Sequence, residues 1–120
     1  MKCKHYMMSA PTAVLDTAPL SEAVALMVRK HMQDLMVVND RGEFVGEITS
    51  FVFSRILQTD SPSEEETAED VDNRLIPHLH RKVREFIATN VPVVEPETPL
   101  SEALALLAAG RLRLPVVEGP

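Results

Sequence analysis

The chain has little of several residue types that often carry chemistry. Its 120 residues include one cysteine, four glycines, four phenylalanines, one tyrosine and no tryptophan. The single Cys3 cannot form an internal disulfide, which agrees with a reducing compartment. So few glycines leave no Gly-rich phosphate loop, and the scattered histidines lack the compact spacing of a closed zinc site. The serines lie in no recognisable nucleophile turn, so we expect neither a metal centre nor an enzyme.

Long apolar runs and an excess of positive charge are also missing. No run approaches the roughly 20 apolar residues that a membrane-spanning helix needs, and residues 1–5 lack the apolar centre of a signal peptide. The formal net charge of -6 disfavours general attraction to nucleic acid or to anionic lipid. We therefore expect a cytoplasmic protein with no nucleic-acid partner and no membrane partner.

What the sequence does contain is an internal repeat. Residues 19–27 (PLSEAVALM) return 80 positions later as residues 99–107 (PLSEALALL). One repeat alone buries too little surface for a secure fold, so we expect the two copies to pack together. Apolar runs flank both helical stretches, at residues 11–15, 35–38, 91–95 and 114–117.

The spacing of apolar residues predicts the elements of each copy. The first helix begins near Leu20 and continues to about Met32, with its buried stripe at Leu20, Ala23, Val24 and Met27. Next come a hairpin, with strands at 35–38 and 43–48 and a turn at 39–42, and a helix over 51–58 that Thr49 and Ser50 cap. The first copy is thus a strand-helix-strand-strand-helix unit.

The second copy follows the same scheme. Thr98 is expected to cap a helix with Pro99 in its first turn, and Gly110 is expected to end that helix. Its predicted buried stripe consists of Leu100, Ala103, Leu104 and Leu107. The copy stops before a returning strand appears, so either the given chain is shorter than its parent or a partner completes the copy.

An acidic stretch separates the two copies. Seven Asp and Glu residues and no Lys or Arg lie between Gln58 and Asn73, which is typical of a solvated linker. Apolar spacing after it predicts a lead-in helix over 74–87, with Pro77 in its first turn. We predict a first repeat at 1–58, an acidic linker at 59–73, and a lead-in helix with a truncated second repeat at 74–120.

The ordered series of motifs resembles the CBS domain, which usually occurs in tandem. The matching segments are residues 12–14, 19–23, 35–40, 42–46, 48–49, 93–96, 98–103 and 114–117. The resemblance implies an α/β fold of two CBS-like β-α-β-β-α repeats packed as a pseudo-twofold pair, with the second repeat incomplete at its C-terminus. It also implies a regulatory module rather than a catalyst.

Members of this family leave clefts that take adenosine-containing ligands such as AMP, ATP or S-adenosylmethionine. The resemblance implies such a ligand here, a homodimer formed through helices of the repeats, and an effector protein of unknown identity. The residues that it implies for ligand binding are Thr12, Val14, Met36, Ile48, Thr49, Val93, Arg111, Arg113 and Pro115.

The ribose-binding motif of the family is altered in this chain. The motif begins at Gly46 and keeps Thr49, but Val52 stands where an aspartate usually accepts hydrogen bonds from the ribose hydroxyls. Arg111 and Arg113 are either the cations that meet a phosphate or solvated charges at the end of a helix. The alternative to a nucleotide sensor is therefore a CBS-pair scaffold that has lost ligand binding.

Overall fold

The computed structural model describes residues 1–8, 11–57, 67–110 and 114–118. The chain divides into two compact units, which we name by their position in the sequence. The central unit comprises residues 13–89, and the terminal unit combines residues 1–12 with residues 90–120.

The central unit contains a three-stranded sheet and three α-helices, and the terminal unit contains one α-helix among its described residues. The strands are β1 (Ala13–Leu15), β2 (Asp34–Val38) and β3 (Phe44–Thr49). The helices are α1 (Leu20–Arg29), α2 (Ser50–Leu57), α3 (Ala68–Leu75) and α4 (Leu100–Ala108), and short 3-10 helices lie at Cys3–His5, Ile76–His78 and Val83–Phe86.

The sheet has the order β1-β2-β3, with β1 parallel to β2 and β3 antiparallel to it. The parallel pair requires a crossover, which α1 supplies, whereas the antiparallel pair needs only a tight turn. Gly42 adopts a φ of 78° in that turn, and the Asn39 side-chain oxygen accepts hydrogen bonds from the backbone N–H groups of Arg41 and Glu43. The predicted hairpin is confirmed.

One face of this sheet and one stripe of α1 form the core of the central unit. Leu35 and Val37 of β2 are buried, and Ile48 lies opposite Leu35 in the register of β3. Three of the four predicted α1 positions, Leu20, Ala23 and Met27, are buried, and the fourth, Val24, is half-buried against the same cluster. The apolar run of β2 and the predicted stripe of α1 therefore meet in one core, and burial alternates along β2 because successive side chains point to opposite faces.

Two predicted helix ends need correction, the C-terminal end of α1 and the N-terminal end of α4. α1 stops at Arg29 rather than near Met32, because His31 adopts a left-handed φ of 52° that ends the helix. Thr98 does not cap α4. Pro99 occupies the cap position, and the Thr98 hydroxyl instead accepts a hydrogen bond from the Glu95 backbone N–H at 2.9 Å.

The region between the repeats also differs from the predicted linker and lead-in helix. Residues 68–75 form α3, which Thr67 caps by accepting a hydrogen bond from the Asp70 N–H. The predicted helix over 74–87 is wrong, since Lys82 is extended and its backbone pairs with Pro19. The pairing of Lys82 with Pro19, which is distant in sequence, outweighs the helical spacing of the apolar residues in 74–87. Residues 58–66 of the predicted linker lie outside the described residues.

The terminal unit has a smaller described core, made of Cys3, Val94 and Ala103. Val94 pairs in parallel with Val116, as Val14 of β1 pairs with Val37 of β2 in the central unit. The predicted stripe of α4 is only partly confirmed. Ala103 is buried, but Leu104 and Leu107 are exposed, in contrast to their α1 counterparts.

Each repeat is preceded by a lead-in segment, residues 1–5 for the first and 81–85 for the second, and each lead-in pairs with the opposite repeat. Lys82 pairs with Pro19 in the central unit, and Lys2 pairs with Pro99 in the terminal unit. The backbone N–H of Val83 donates to the Ala18 carbonyl at 2.8 Å.

The terminal unit has a matching hydrogen bond, and each of its two residues lies 80 positions in sequence from its counterpart in the central unit. There the N–H of Cys3 donates to the Thr98 carbonyl at 2.9 Å. Both Cys3 and Val83 are buried. This exchange of lead-ins places the N-terminus of the chain in the same unit as the second repeat.

Candidate functional site

The outer face of the sheet carries three polar side chains of the central unit, those of Asp34, Glu47 and Thr49. Because side chains alternate along a strand, the register places Met36 opposite Glu47 and Asp34 opposite Thr49, all on the face away from the core. Glu47 is buried, and Met36, Asp34 and Thr49 are half-buried. This face therefore combines two carboxyl groups, one hydroxyl and a flexible apolar side chain.

The structure separates the four predicted site residues of the central unit into two pairs. Met36 and Thr49 share the outer face. Val14 and Ile48 lie in the core cluster with 3% and 0% exposure, so their side chains are closed to a ligand and only their backbones remain. Sequence alone did not distinguish these pairs.

The other predicted site residues fall in the terminal unit or outside the described residues. Thr12 is half-buried, Val93 is exposed and Pro115 is buried. The Pro115 carbonyl accepts a hydrogen bond from the Val94 N–H, so this residue fixes the pairing of two segments. Arg111 and Arg113 lie outside the described residues.

Gly46, the first residue of the altered ribose motif, allows a close backbone approach. Glu47 and Ala88 exchange two backbone hydrogen bonds, of 3.0 and 2.8 Å. A Cβ atom at Gly46 would lie 2.5 Å from the Ala88 carbonyl oxygen, closer than such atoms come in proteins. The lack of a side chain at Gly46 therefore allows β3 to pair with the segment that follows the second lead-in.

A surface groove lies beside Val52, the position at which the resemblance predicts a ribose-binding acid. Its volume is about 380 Å³. Four apolar residues, one cation and one carboxylate line it. The lining residues are Val52, Arg55, Ile56, Glu85, Phe86 and Ile87.

The carboxylate of this groove is held in place by neighbouring residues. The Arg81 guanidinium binds Glu85 at 3.1 Å and stacks over the Phe86 ring, 4.9 Å from its centre. The hydrogen bond from Arg81, with one from the Lys82 backbone, lowers the pKa of Glu85, so this group is ionised at neutral pH. Sequence analysis did not single out Glu85, because the pairing that brings its segment to the first repeat is visible only in the structure.

Comparison with protein families decides the identity of the fold. The CBS domain model matches residues 3–51 and 83–120. The chain belongs to the CBS-domain family. Both matches begin at a buried lead-in residue, Cys3 or Val83, which confirms the tandem repeat that the sequence predicted.

Solved structures of CBS proteins are similar to this chain over nearly its whole length. CBSX2 from Arabidopsis thaliana has a TM-score of 0.77 and 22% identity, over 97% of this chain and 79% of that chain. A CBSX2 structure in complex with AMP has a TM-score of 0.73 and 20% identity, over 98% and 82%. A CBS-domain protein from Kribbella flavida has a TM-score of 0.76 and 21% identity, over 99% and 87%.

These likenesses show the CBS-pair α/β fold. A comparison with curated proteins found no match. CBS-pair proteins are generally regulatory modules rather than enzymes.

Two further properties concern only the described part of the chain. None of its helices combines the length and the apolar character needed to cross a bilayer. Within the same residues, no three His, Cys, Asp or Glu side chains lie close enough to hold a metal ion.

Proposed function

We propose that this CBS pair is a regulatory module that binds an adenosine-containing ligand of the AMP, ATP or S-adenosylmethionine type and passes a conformational change to an effector protein. The observation that carries the proposal is the geometry of the motif from Gly46 to Thr49. The backbone of Glu47, next to Gly46, pairs with Ala88, and the register places Thr49 on the outer face opposite Asp34, with Met36 on the same face. The AMP complex of CBSX2 supports a nucleotide as the ligand class.

The specific ligand chemistry proposed here combines an apolar surface with hydrogen-bonding groups. An adenine ring suits a flexible methionine side chain such as Met36, and a sugar hydroxyl suits Thr49. Arg111 and Arg113 are proposed to meet the phosphate of a nucleotide. Ligand binding can shift the module only by its differential affinity for two arrangements.

A second candidate function follows from Val52. A valine cannot accept hydrogen bonds from ribose hydroxyls, and loss of such a charged partner costs about 1.5–3 kcal/mol, which weakens binding about tenfold or more. In this alternative the chain is a dimerising scaffold that binds no nucleotide.

The experiment that separates these functions is a thermal-shift titration with AMP, ADP, ATP, S-adenosylmethionine and NAD. A saturable rise in Tm supports the sensor, and an unchanged Tm at millimolar ligand supports the scaffold. Thr49→Val should remove the rise, whereas the same change at the exposed Thr17 should not. Arg113→Ala should lower the affinity for phosphorylated ligands only.

Restoring the missing acid provides a gain-of-function test. Val52→Asp should strengthen nucleotide binding by roughly tenfold, because the carboxylate supplies a charged acceptor for the ribose hydroxyls. Val52→Asn is the matched control, since it has the same size without the charge. Calorimetric titration with AMP measures both variants, and equal affinity of Val52→Asp and the parent would exclude position 52 from the ribose site.

The proposal also includes the cellular location and the oligomeric state of the module. The module is proposed to act in the cytoplasm as a homodimer formed through helices of its repeats. Light scattering during size-exclusion chromatography gives the mass in solution directly. A monomeric mass at micromolar concentration would contradict the dimer and leave ligand binding to be judged by the titration above.

A further inference from the structure

Two residues that line the groove beside Val52 are held by Arg81, whose side chain is not among the lining residues. The Arg81 guanidinium donates hydrogen bonds to the Glu85 carboxylate, from Nε at 3.3 Å and from Nη2 at 3.1 Å, and it stacks over the Phe86 ring. Its Nη1 atom makes a further hydrogen bond, of 3.0 Å, with Nδ1 of the half-buried His78. Arg81 therefore connects His78 to two residues of the groove.

The hydrogen bond with Arg81 fixes the protonation state of His78. A guanidinium group offers N–H donors and no acceptor, so Nδ1 of the imidazole must be the acceptor. His78 is therefore neutral in this arrangement and carries its proton on Nε2. A proton added at Nδ1 would replace the acceptor with a donor and would place two positive charges side by side. The contact therefore exists only while His78 is neutral.

Arg81 is the charged group that the described residues place in hydrogen-bond contact with His78. The carboxylate of Glu85 binds Arg81 and the Lys82 backbone N–H rather than the imidazole. The other charged or titratable side chains on the adjoining elements are Glu22 of α1, Arg55 of α2, Glu69, Asp70, Asp72 and Arg74 of α3, and His80, Lys82 and Arg84. Because the group in contact is a cation, proton uptake by His78 works against the observed arrangement.

The backbone around His78 is tied to the start of α1. The carbonyl groups of Leu79 and Arg81 accept hydrogen bonds from the N–H groups of Ser21 and Leu20, at 3.0 and 2.8 Å. These N–H groups belong to the first turn of α1, which has no partner for them within the helix. The bonds do not involve the imidazole, so a change in its charge leaves them in place and acts on side chains.

We propose that His78 makes the groove sensitive to pH: proton uptake at Nδ1 breaks its hydrogen bond with Arg81, and the freed guanidinium shifts the side chains of Glu85 and Phe86. Histidine suits this role because it changes charge within the physiological pH range. The ion pair with Glu85 does not require a neutral His78, so it keeps Arg81 near the groove after the hydrogen bond is lost. The arrangement in the structure is therefore the high-pH form, and acidification produces the second form.

NMR spectroscopy of the whole chain tests this proposal without any substitution. At about pH 7.5 the ring-nitrogen shifts of His78 should identify the Nε2–H tautomer. Between about pH 7.5 and about pH 5, the methyl signals of Val52 and Ile56, which line the groove, should move in one step. The midpoint of that step should equal the midpoint of the His78 ring signals.

Two variants assign the titration to His78. His78→Asn keeps an oxygen acceptor for Arg81 but takes up no proton in this range, so the groove signals should stay at their high-pH positions. His80→Gln removes an exposed histidine two positions away and should preserve the full shift. His78→Gln, which also offers an amide oxygen, is the second variant if asparagine disturbs folding, and circular dichroism verifies the helix content of each.

Three results would overturn the proposal: an Nδ1–H tautomer at neutral pH, groove signals that stay constant while the His78 ring titrates, or a shift that survives both His78 variants. Loss of the shift in His80→Gln would assign the titration to another residue and would overturn it as well. These titrations contain no added ligand, so their outcome is independent of the nucleotide proposed above.

Discussion

The residue type at Gly46 is restricted by the close approach of a neighbouring carbonyl group, not by a turn. The Ala88 oxygen occupies the space that a Cβ atom would need, whereas nothing lies within 4 Å of a Cβ built at Gly42. Gly46 is therefore retained for packing, and Gly42 for the left-handed backbone of the hairpin turn. The two glycines differ in physical role although only four positions separate them, Gly42 before β3 and Gly46 within it.

Gly46→Ala should destabilise the protein by about 1–3 kcal/mol, because the methyl group must displace a hydrogen-bonded backbone segment. Gly42→Ala is the control, since it adds the same methyl group in open space and meets only the backbone strain of a positive φ. Urea denaturation measures the free energy of unfolding of both. A Gly46 variant no less stable than the Gly42 variant would contradict the close contact.

At the scale of elements, the two lead-ins show weak patterns in sequence, and their fold is fixed by pairing with the opposite repeat. Each lead-in is short, and its helical turn is only a 3-10 turn at Cys3–His5 or Val83–Phe86. Its position is set instead by one buried side chain and by backbone bonds to the residues before α1 or α4. The conformation of the lead-ins therefore depends on long-range pairing rather than on local helix propensity.

Val83→Ala should lower the free energy of unfolding by about 1–3 kcal/mol, because it removes two methyl groups from a fully buried site. The same change at Val28, which is exposed on α1, should have almost no effect. Denaturation curves of the two variants test this. Similar losses at both positions would show that the second lead-in does not anchor the central unit.

The first lead-in has an additional electrostatic contact. Glu97 accepts hydrogen bonds from the ammonium groups of Lys2 and Lys4, and these lower the pKa of Glu97 to about 2 from its ordinary value of 4.5. Because the folded pKa is depressed, the stabilisation is complete above about pH 4.5 and is lost as the pH falls toward 2. The groups are exposed, so salt should weaken the effect.

Acidification from pH 5 to pH 2 should therefore shift the amide NMR signals of Cys3 and Lys4 as the contact is lost. Glu97→Gln should abolish that pH dependence, whereas Glu95→Gln, at a neighbouring exposed position, should preserve it. A titration unchanged by Glu97→Gln would remove this ion pair as its cause.

At the scale of the whole molecule, the two units share a plan but differ in the size of their described cores. Nine buried residues form the core cluster of the central unit, and three form that of the terminal unit. Burial of apolar area is the main source of stability, so the units should open with different free energies. Equivalent hydrogen bonds 80 positions apart allow a direct comparison.

Hydrogen exchange should be faster at the amides of Cys3 and Leu100 than at those of Val83 and Leu20. Each of these amides donates to a backbone carbonyl at 2.8–2.9 Å, so hydrogen-bond geometry does not explain a difference. Mass spectrometry or NMR measures the rates at neutral pH. Equal protection in both pairs would show that the two units open together.

Much of the fold could be predicted because the repeat supplies two independent copies of one pattern. The short apolar run of β2, the extended run of β3, the turn before Glu43 and the stripe of α1 are local signals, and each is confirmed. The helix over 74–87 was wrong because Pro19 pairs with Lys82, a contact between residues far apart in sequence.

For the candidate site, the sequence predicted a set of positions but not which of their side chains are accessible. The family resemblance selected Thr49 and Met36, which lie on the outer face, together with Val14 and Ile48, whose side chains are buried in the core. Period-2 alternation separates the two faces, but only the packed helices determine which face is covered. The predicted ligand-binding roles of all nine residues stay predictions.

The sequence by itself determined the tandem CBS repeat, the strand-helix-strand-strand order of the first copy and the loss of the ribose acid at Val52. These depend on residue type and on spacing along the chain, which a sequence states directly. Only the tertiary structure decided that each lead-in pairs with the opposite repeat, that Gly46 meets Ala88, and that the equivalents of buried α1 residues are exposed in α4. Such features depend on contacts between distant residues, whose free energies local patterns do not encode.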